Sequence, residues 1–209
     1  MLLWINGPFG GGKTQTAHEL RRRLPGSFVA DPEHVGFGLR RMTPPALRGD
    51  FQDLAAWRQG VVEVLDRAAR GHDGVIVVPM TLVEPAYFRE VVGGLRDRGH
   101  DVRHFALLAR RATVVRRLRE REVVHAARAL LGGGAARGRS AAMRALDRCL
   151  ERLREPEFAE HLWTDDLTVP QVAERVAAAA GLVLAPAAGG RLRGRVRRTW
   201  TSVKHIRFD

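Results

Sequence analysis

The stretch that decides the fold is Gly7-Pro8-Phe9-Gly10-Gly11-Gly12-Lys13-Thr14, near the start of the chain. It fits a phosphate-binding pattern of glycine, four residues, glycine, lysine and then serine or threonine. The apolar run Leu2–Ile5 precedes it and predicts a buried strand, while Gln15–Leu24 carries apolar residues at helical spacing. Pro25-Gly26 ends the predicted helix. A strand, a glycine loop and a helix in this order predict that the chain binds a nucleoside triphosphate.

Each part of this loop has a physical role in holding a triphosphate. Glycines let the backbone turn tightly and aim successive N–H groups at anionic oxygens, and the following helix N-terminus adds positive potential. Lys13 supplies a charge for the β- and γ-phosphates, and Thr14 supplies a hydroxyl for Mg²⁺. Lys13 is one of only two lysines in this arginine-rich chain, the other being Lys204. We therefore predict an ATP and Mg²⁺ site formed by Gly7, Pro8, Phe9, Gly10, Gly11, Gly12, Lys13, Thr14 and Gln15.

Strands and helices alternate along the rest of the chain. Apolar runs predict further strands at 28–30, 75–78, 104–109 and 161–163. Apolar residues at helical spacing predict helices at 53–70, 85–95, 114–118, 143–153 and 170–180. The glycine- and proline-rich segment 31–50 is predicted as a loop, and 132–140 as a flexible break. Such alternation predicts an α/β P-loop NTPase domain over residues 1–188, with a doubly wound, mostly parallel, five-stranded sheet.

Composition narrows the setting of the protein. The net charge of +12 favours an anionic partner such as nucleotide phosphate, a membrane surface or a nucleic acid, although arginine-rich usage can also reflect the genome. The sequence shows no recognised nucleic-acid module, so we expect no specific nucleic-acid partner. The single cysteine, Cys149, excludes a disulfide within the chain and favours a reducing, cytoplasmic setting.

Several sequence blocks resemble a known bacterial family. They are WINGPFGGGKTQTA at 4–17, ADPEHVGFGLR at 30–40, VIVVPMTLVEPAYF at 75–88, RRLRER at 116–121, LDRCLERL at 146–153 and TDDLTVPQVAE at 164–174. These blocks are similar to the tunicamycin-resistance ATP-binding proteins and span essentially the whole chain. The resemblance implies a fold of the nucleotide and shikimate kinase type, ATP binding, and resistance to a nucleoside antibiotic by transfer of the ATP γ-phosphate to a hydroxyl of the drug or another small molecule. The chain departs from the family in a longer run of glycine and arginine at 132–140.

The residue after the second predicted strand, Asp31, is the candidate for catalysis. In an open parallel sheet, ligands bind beyond the carboxyl ends of the strands. The resembled kinases place an acidic residue here, against the acceptor hydroxyl or the Mg²⁺ shell, so Asp31 is predicted as the catalytic base and as a residue of the metal site. The alternative is structural, because an aspartate followed by proline also caps turns. Glu33 is a second, weaker candidate for the base.

The predicted strand at 75–78 carries no acidic residue at its end, where Pro79-Met80-Thr81 follows. Many P-loop enzymes place an aspartate linked to Mg²⁺ at this point. Its absence argues against a motor-type ATPase and favours a small kinase, in which Mg²⁺ rests on Thr14, water and Asp31. The same absence is compatible with a protein that binds ATP without turning it over.

Arginines of the segment 117–148, which the resemblance identifies as a lid, are candidates for gripping the phosphates. A planar guanidinium group suits bidentate contact with phosphate. Arg121 and Arg148 are predicted as closing, catalytic arginines, and Arg117, one helical turn from Arg121, as a nucleotide-binding residue. For each of them the alternative is a solvated basic helix face.

Asp165 and Pro170 follow the last predicted strand and are also predicted to bind the nucleotide. The resembled kinases enclose the adenine at this point of the chain, which is the reason for the assignment. For the neighbouring Asp166, a simple helix cap is the alternative.

Residues 189–209 form a basic tail after the predicted domain. Its apolar residues recur at helical intervals, and the tail holds seven basic residues and one aspartate. This pattern suits an anionic membrane surface, here the inner face of the plasma membrane, and the alternative is packing on the protein core or a second subunit. The first hypothesis is therefore a cytoplasmic small-molecule kinase. The second is a non-catalytic, ATP-dependent drug-binding protein at the membrane.

Overall fold

The architecture is given by a computed structural model that describes residues 1–126 and 137–186, with all side chains in these ranges except those of 121–126 and 137–143. The strands are β1 Leu2–Asn6, β2 Phe28–Val29, β3 Ile76–Pro79, β4 Val102–Leu108 and β5 His161–Trp163. The helices are α1 Lys13–Arg23, α2 Glu33–Met42, α3 Ala55–Gly71, α4 Pro85–Phe88, α5 Gly94–Asp97, α6 Arg111–Ala126, α7 Arg137–Arg152 and α8 Val169–Ala179. A π turn, Arg89–Gly93, joins α4 to α5, and short 3₁₀ turns cover Pro45–Leu47, Phe51–Asp53 and Pro156–Phe158.

The strands form one parallel sheet in the order β2-β3-β1-β4-β5. In the centre, Leu2 of β1 pairs with Ile76 of β3 on one side and with Val102 of β4 on the other. Parallel neighbours need long crossover connections, which the helices provide. The five-stranded parallel sheet expected from the sequence is thus confirmed. Because all the strands run the same way, their carboxyl ends meet at one edge of the sheet, where the glycine loop lies.

Alternate residues of β1 face two separate hydrophobic cores. Leu2 and Trp4 pack into the core that α3 and the α4–α5 segment complete, whereas Leu3 and Ile5 pack into the core that α1 and α8 complete. All four side chains are fully buried. Each such burial contributes about 1.5–3 kcal/mol to folding, so the strand that leads into the glycine loop is held firmly from both faces. This explains why β1 is continuously apolar rather than alternating.

The segment after Asp31 corrects one prediction, because residues 33–42 form helix α2 rather than a loop. The two glycines inside this segment suggested a loop, but one of them serves packing. A Cβ at Gly36 would lie 2.6 Å from the ring of Phe51, so only glycine lets α2 approach the Phe51–Asp53 turn. The backbone carbonyl of Pro32 also accepts a hydrogen bond from Nε1 of the buried Trp57 at 3.0 Å, which ties α2 to α3.

Helix α7 corrects a second prediction, since Arg137–Ser140 begin this helix instead of continuing a flexible break. Residues 127–136 lie outside the described part of the chain. The same holds for the whole of the proposed tail, because the description ends at Pro186. Within residues 1–126 and 137–186, no helix is both long and apolar enough to span a bilayer.

Candidate nucleotide-binding site

The glycine loop turns from β1 into α1 through left-handed backbone conformations. Gly10 has a φ of 77° and Gly12 a φ of 91°, in a region that L side chains rarely adopt. The N–H of Gly11 donates to the Pro8 carbonyl at 2.9 Å and narrows the turn. Helix α1 then begins at Lys13. The first N–H groups of α1 have no partner within the helix, so the loop and the helix N-terminus together form a site that attracts an anion.

Lys13 is nearly buried within this loop. Its Nζ donates hydrogen bonds to the backbone carbonyls of Gly7 at 3.0 Å and Pro8 at 3.1 Å, and lies 5.5 Å from the centroid of the Phe9 ring. Phe9 itself is 60% exposed and forms the outer surface of the loop. The ammonium is therefore held at the loop by neutral carbonyls, which the charged oxygens of a bound phosphate would replace as partners.

Thr14 and Gln15 lie in the first turn of α1, and both are half-buried. The position beside the phosphate loop fits the predicted role of the Thr14 hydroxyl, because Mg²⁺ usually keeps several waters and takes few protein ligands besides phosphate oxygens. In the described part of the chain, no group of three or more His, Cys, Asp or Glu is placed to hold a metal without such help. The Mg²⁺ roles of Thr14 and Asp31 stay predictions.

A buried network that sequence reasoning missed fixes the base of the loop to the end of β3. The Asn6 side chain accepts from the N–H groups of Gly7 at 2.9 Å and Leu82 at 3.0 Å, and its Nδ2 donates to the Leu82 carbonyl at 2.7 Å. The Thr81 hydroxyl donates to the Gly7 carbonyl at 2.8 Å. Asn6 and Thr81 are polar residues at the carboxyl ends of neighbouring strands, which is the one signal in the sequence that could have found them.

Asp31 lies two residues beyond β2, at the same edge of the sheet as the glycine loop. Its side chain is half-buried, and Oδ1 accepts a hydrogen bond from the Glu33 N–H at 3.0 Å, where α2 begins. The capping role considered as an alternative is therefore present. This bond engages one carboxylate oxygen with a backbone donor, and it leaves the catalytic role of Asp31 a prediction.

Arg117 and Asp165 each make hydrogen bonds at the carboxyl end of β5, where they form one polar cluster with Thr113 and Thr164. Arg117 donates to the Thr164 carbonyl at 2.6 Å and the Thr164 hydroxyl at 3.1 Å, while Asp165 accepts from the Thr113 hydroxyl at 2.6 Å and the Arg110 N–H at 3.0 Å. These bonds tie α6 to the segment that follows β5.

The two charged groups of this cluster respond differently to their surroundings. Burial lowers the pKa of the half-buried Arg117 guanidinium, and the nearby Asp165 opposes this effect. Burial alone raises the pKa of Asp165, but the hydrogen bonds from Thr113 and Arg110 outweigh it and lower the pKa overall. Asp165 is thus held as a carboxylate.

Pro170 lies in the first turn of α8, behind a capping box formed by Thr168 and Gln171. Proline suits this position because its missing N–H would have no helical partner there. The structure therefore gives Pro170 a role in starting α8. Its predicted contact with a nucleotide stays a prediction, and it shares no hydrogen bond with the Arg117 and Asp165 cluster.

Of the two predicted closing arginines, the structure describes the side chain of Arg148 but not that of Arg121. Arg148 on α7 is largely exposed, and its Nη2 lies 3.4 Å from Oε2 of Glu84, just before α4. Arg121 is a residue of helix α6, and only its backbone is described. Next to Arg148, Cys149 is buried, and burial raises the pKa of its thiol to about 11, with the charge of Lys13 acting in the opposite direction.

Comparison with known proteins agrees with this geometry. A family model described as an AAA domain, AAA_33, matches residues 2–156. The structure of the Deinococcus radiodurans tunicamycin resistance protein is 38% identical, with a TM-score of 0.71, and the match covers 89% of this chain and 99% of that one. No match is found among curated proteins.

Two more distant structures share the fold. An unliganded sugar kinase from Janibacter sp. HTCC2649 is 17% identical over 87% of this chain and 95% of its own, with a TM-score of 0.56. The APS kinase CysC of Mycobacterium tuberculosis, in complex with AMPPNP and APS, is 16% identical over 86% and 96%, also with a TM-score of 0.56. The chain belongs to the AAA domain family and to the family of the Deinococcus radiodurans tunicamycin resistance protein.

Proposed function

We propose that this protein is an ATP-dependent phosphotransferase that moves the γ-phosphate of ATP to a hydroxyl of a tunicamycin-type nucleoside antibiotic. The observation that carries the proposal is a formed phosphate loop, with Lys13 at its centre, in a chain that is 38% identical over almost its whole length to a tunicamycin resistance protein. Asp31 lies at the same edge of the sheet, and we assign its carboxylate to the acceptor hydroxyl.

The proposed transfer is an in-line displacement at the γ-phosphorus. The acceptor oxygen forms a bond to phosphorus, the bond from phosphorus to the β–γ bridging oxygen breaks, and ADP leaves. Asp31 takes the proton of the acceptor hydroxyl. The loop N–H groups and Lys13 stabilise charge on the phosphate oxygens, and Arg148 adds a further cation if it leaves Glu84. Thr14 would hold Mg²⁺, which would supply positive charge against the triphosphate.

A mass measurement tests this proposal directly. Purified protein is incubated with Mg²⁺-ATP and tunicamycin, and we expect ADP together with a drug whose mass has increased by one phosphoryl group. The Lys13→Ala variant should lose nucleotide binding and turnover, whereas Arg21→Ala, which removes an exposed cation at the far end of α1, should keep both. A drug of unchanged mass, under conditions in which ATP is bound, would overturn the kinase proposal.

The second candidate function is ATP-dependent sequestration of the drug without turnover. The observation that favours it is the bond from the Glu33 N–H to Asp31, because a carboxylate with a structural role need not be a base. Protection would then be stoichiometric with the protein instead of catalytic.

The Asp31→Asn variant separates the two functions. An asparagine oxygen can still accept the Glu33 N–H and start α2, but the side chain can no longer take a proton. For a kinase we expect turnover to fall by about 10²- to 10⁴-fold with ATP binding intact. For a sequestering protein, drug binding and the protection of cells that express the variant should both stay at the level of the unmodified protein.

We also propose that the tail 189–209 binds an anionic membrane surface. Support comes from the sequence alone, through its seven basic residues and its apolar residues at helical intervals. The full chain should float with vesicles that contain phosphatidylserine but not with neutral vesicles, and a chain that ends at residue 188 should float with neither. Equal flotation of both chains would contradict this role.

A further inference from the structure

The carboxyl end of β3 lies beside the phosphate loop and carries a threonine where many P-loop enzymes carry an aspartate for Mg²⁺. Thr81 is 7% exposed, and its hydroxyl donates to the Gly7 carbonyl at 2.8 Å. The hydroxyl proton is therefore directed at the loop backbone. Through this bond, Thr81 fixes the orientation of the Gly7 carbonyl at the start of the phosphate loop.

Several bonds hold Thr81 in place on its other sides. The Asn6 side chain binds both backbone groups of the next residue, Leu82, at 2.7 Å and 3.0 Å. The Thr81 carbonyl accepts from Nε2 of Gln52 at 3.0 Å, and the Gln52 carbonyl in turn accepts from Nη1 of Arg58 at 2.6 Å. These bonds fix the backbone at Thr81, and its β-branched side chain is buried and has few rotamers, so the hydroxyl has little freedom to leave Gly7.

The Gly7 carbonyl accepts from two donors, the Thr81 hydroxyl and Nζ of Lys13, at 2.8 Å and 3.0 Å. A bound triphosphate draws the Lys13 ammonium to its own oxygens, and Gly7 then keeps the hydrogen bond from Thr81. A buried carbonyl that loses its last donor is costly. Without Thr81, the movement of Lys13 toward phosphate would therefore carry this cost.

We infer that Thr81 is a positioning residue for nucleotide binding: it holds the Gly7 carbonyl while Lys13 turns to the phosphates, and Gln52 acts on the loop through Thr81. The inference rests on nucleotide binding by the loop and needs no transfer to an acceptor. Its failure can therefore be told apart from a failure of the kinase proposal.

The test is the dissociation constant for a fluorescent, non-hydrolysable ATP analogue with Mg²⁺, measured where each variant is folded. Thr81→Val keeps the shape of the side chain and removes the hydroxyl, and we expect binding about fivefold weaker, as for the loss of one hydrogen bond. Thr81→Ser restores the hydroxyl and should bind within about twofold of the unmodified protein. Thr43→Val is the matched control, because the Thr43 hydroxyl donates only to Leu39 in its own helix among the bonds described, and its dissociation constant should not change.

A double-mutant cycle then tests the role of Gln52. Gln52→Leu alone should weaken binding by about two- to threefold, and it should have no further effect in the Thr81→Val background, since both changes act on one bond. Unchanged binding by Thr81→Val would overturn the inference, and independent, additive effects would overturn the part assigned to Gln52. If Thr81→Val does not fold, Thr81→Ala replaces it, because that variant also removes the hydroxyl and unchanged affinity would contradict the proposal.

Discussion

Single residues of the phosphate loop are constrained for two different physical reasons, which the positions of Gly10 and Gly12 separate. Both have positive φ, at 77° and 91°. A Cβ at Gly10 would lie 2.9 Å from Leu118 of α6, whereas a Cβ at Gly12 would meet no atom of the described residues within 4 Å. Backbone conformation constrains both positions, and packing against α6 constrains only Gly10.

Alanine at these two positions should therefore have unequal effects on stability. Gly12→Ala should cost about 1–2 kcal/mol of unfolding free energy, the usual penalty for a left-handed conformation. Gly10→Ala should cost more, because Leu118 must also move aside. Chemical denaturation of both variants without nucleotide measures the difference, and equal losses would show that the contact with Leu118 adds nothing.

The same loop shows which residues a sequence can reveal. Lys13 could be placed at the centre of the site because its role follows from spacing to its neighbours in the chain. Thr81 could not, because its bond to Gly7 joins residues 74 positions apart, and only the pairing of β1 with β3 brings them together. The sequence predicted where Asp31 lies in the site, but not its hydrogen bond from the Glu33 N–H, because that bond is formed where α2 begins and the sequence did not indicate this helix.

Elements were predicted well where a buried apolar pattern determined them and poorly where glycine had a packing role. The strand His161–Trp163 and the helices α1, α3 and α8 agree with the sequence prediction to within about two residues. Helix α2 was missed because Gly36, which the contact with Phe51 requires, resembles a loop residue in the sequence alone.

The contact between α6 and the end of β5 gives a prediction at the level of elements. We expect the nucleobase on this side of the sheet and the phosphates at the glycine loop, so Arg117→Met should weaken ATP binding about three- to tenfold by loosening the segment after β5. Binding of inorganic tripolyphosphate should change by less than about twofold, because that ligand has no base. Isothermal titration with both ligands makes the comparison.

Arg116→Met is the matched control for this experiment. Arg116 is the neighbouring residue on α6, but it is exposed and lies 4.0 Å from Glu120, a distance at which an exposed ion pair contributes little. This variant should bind both ligands as the unmodified protein does. If Arg117→Met weakens the binding of tripolyphosphate as much as the binding of ATP, Arg117 acts on the phosphates and not on the nucleobase.

The whole molecule responds to pH partly through one buried histidine on β4, the strand next to the centre of the sheet. His104 of β4 is 5% exposed and packs against the rings of Phe88 and Phe158. Burial lowers its pKa to about 4, the Ala159 carbonyl opposes this shift, and the charges of Arg96 and His161 add to it. The folded protein therefore holds His104 neutral well below the pH at which the unfolded chain takes up a proton.

Acid should consequently destabilise the fold through His104 in a defined window. Well above pH 6.5 the histidine is neutral in both the folded and the unfolded state, so it contributes no pH dependence. Between pH 6.5 and about 4 it is protonated mainly in the unfolded state. The free energy of unfolding therefore falls with falling pH, by roughly 3 kcal/mol over this range. His104→Phe removes this titration and keeps an aromatic ring beside Phe88 and Phe158. Denaturation at pH 7.5, 5.5 and 4.5 should give a flatter profile for the variant, because the carboxylates titrate alike in both proteins. Parallel profiles would mean that the protonation of His104 does not oppose folding.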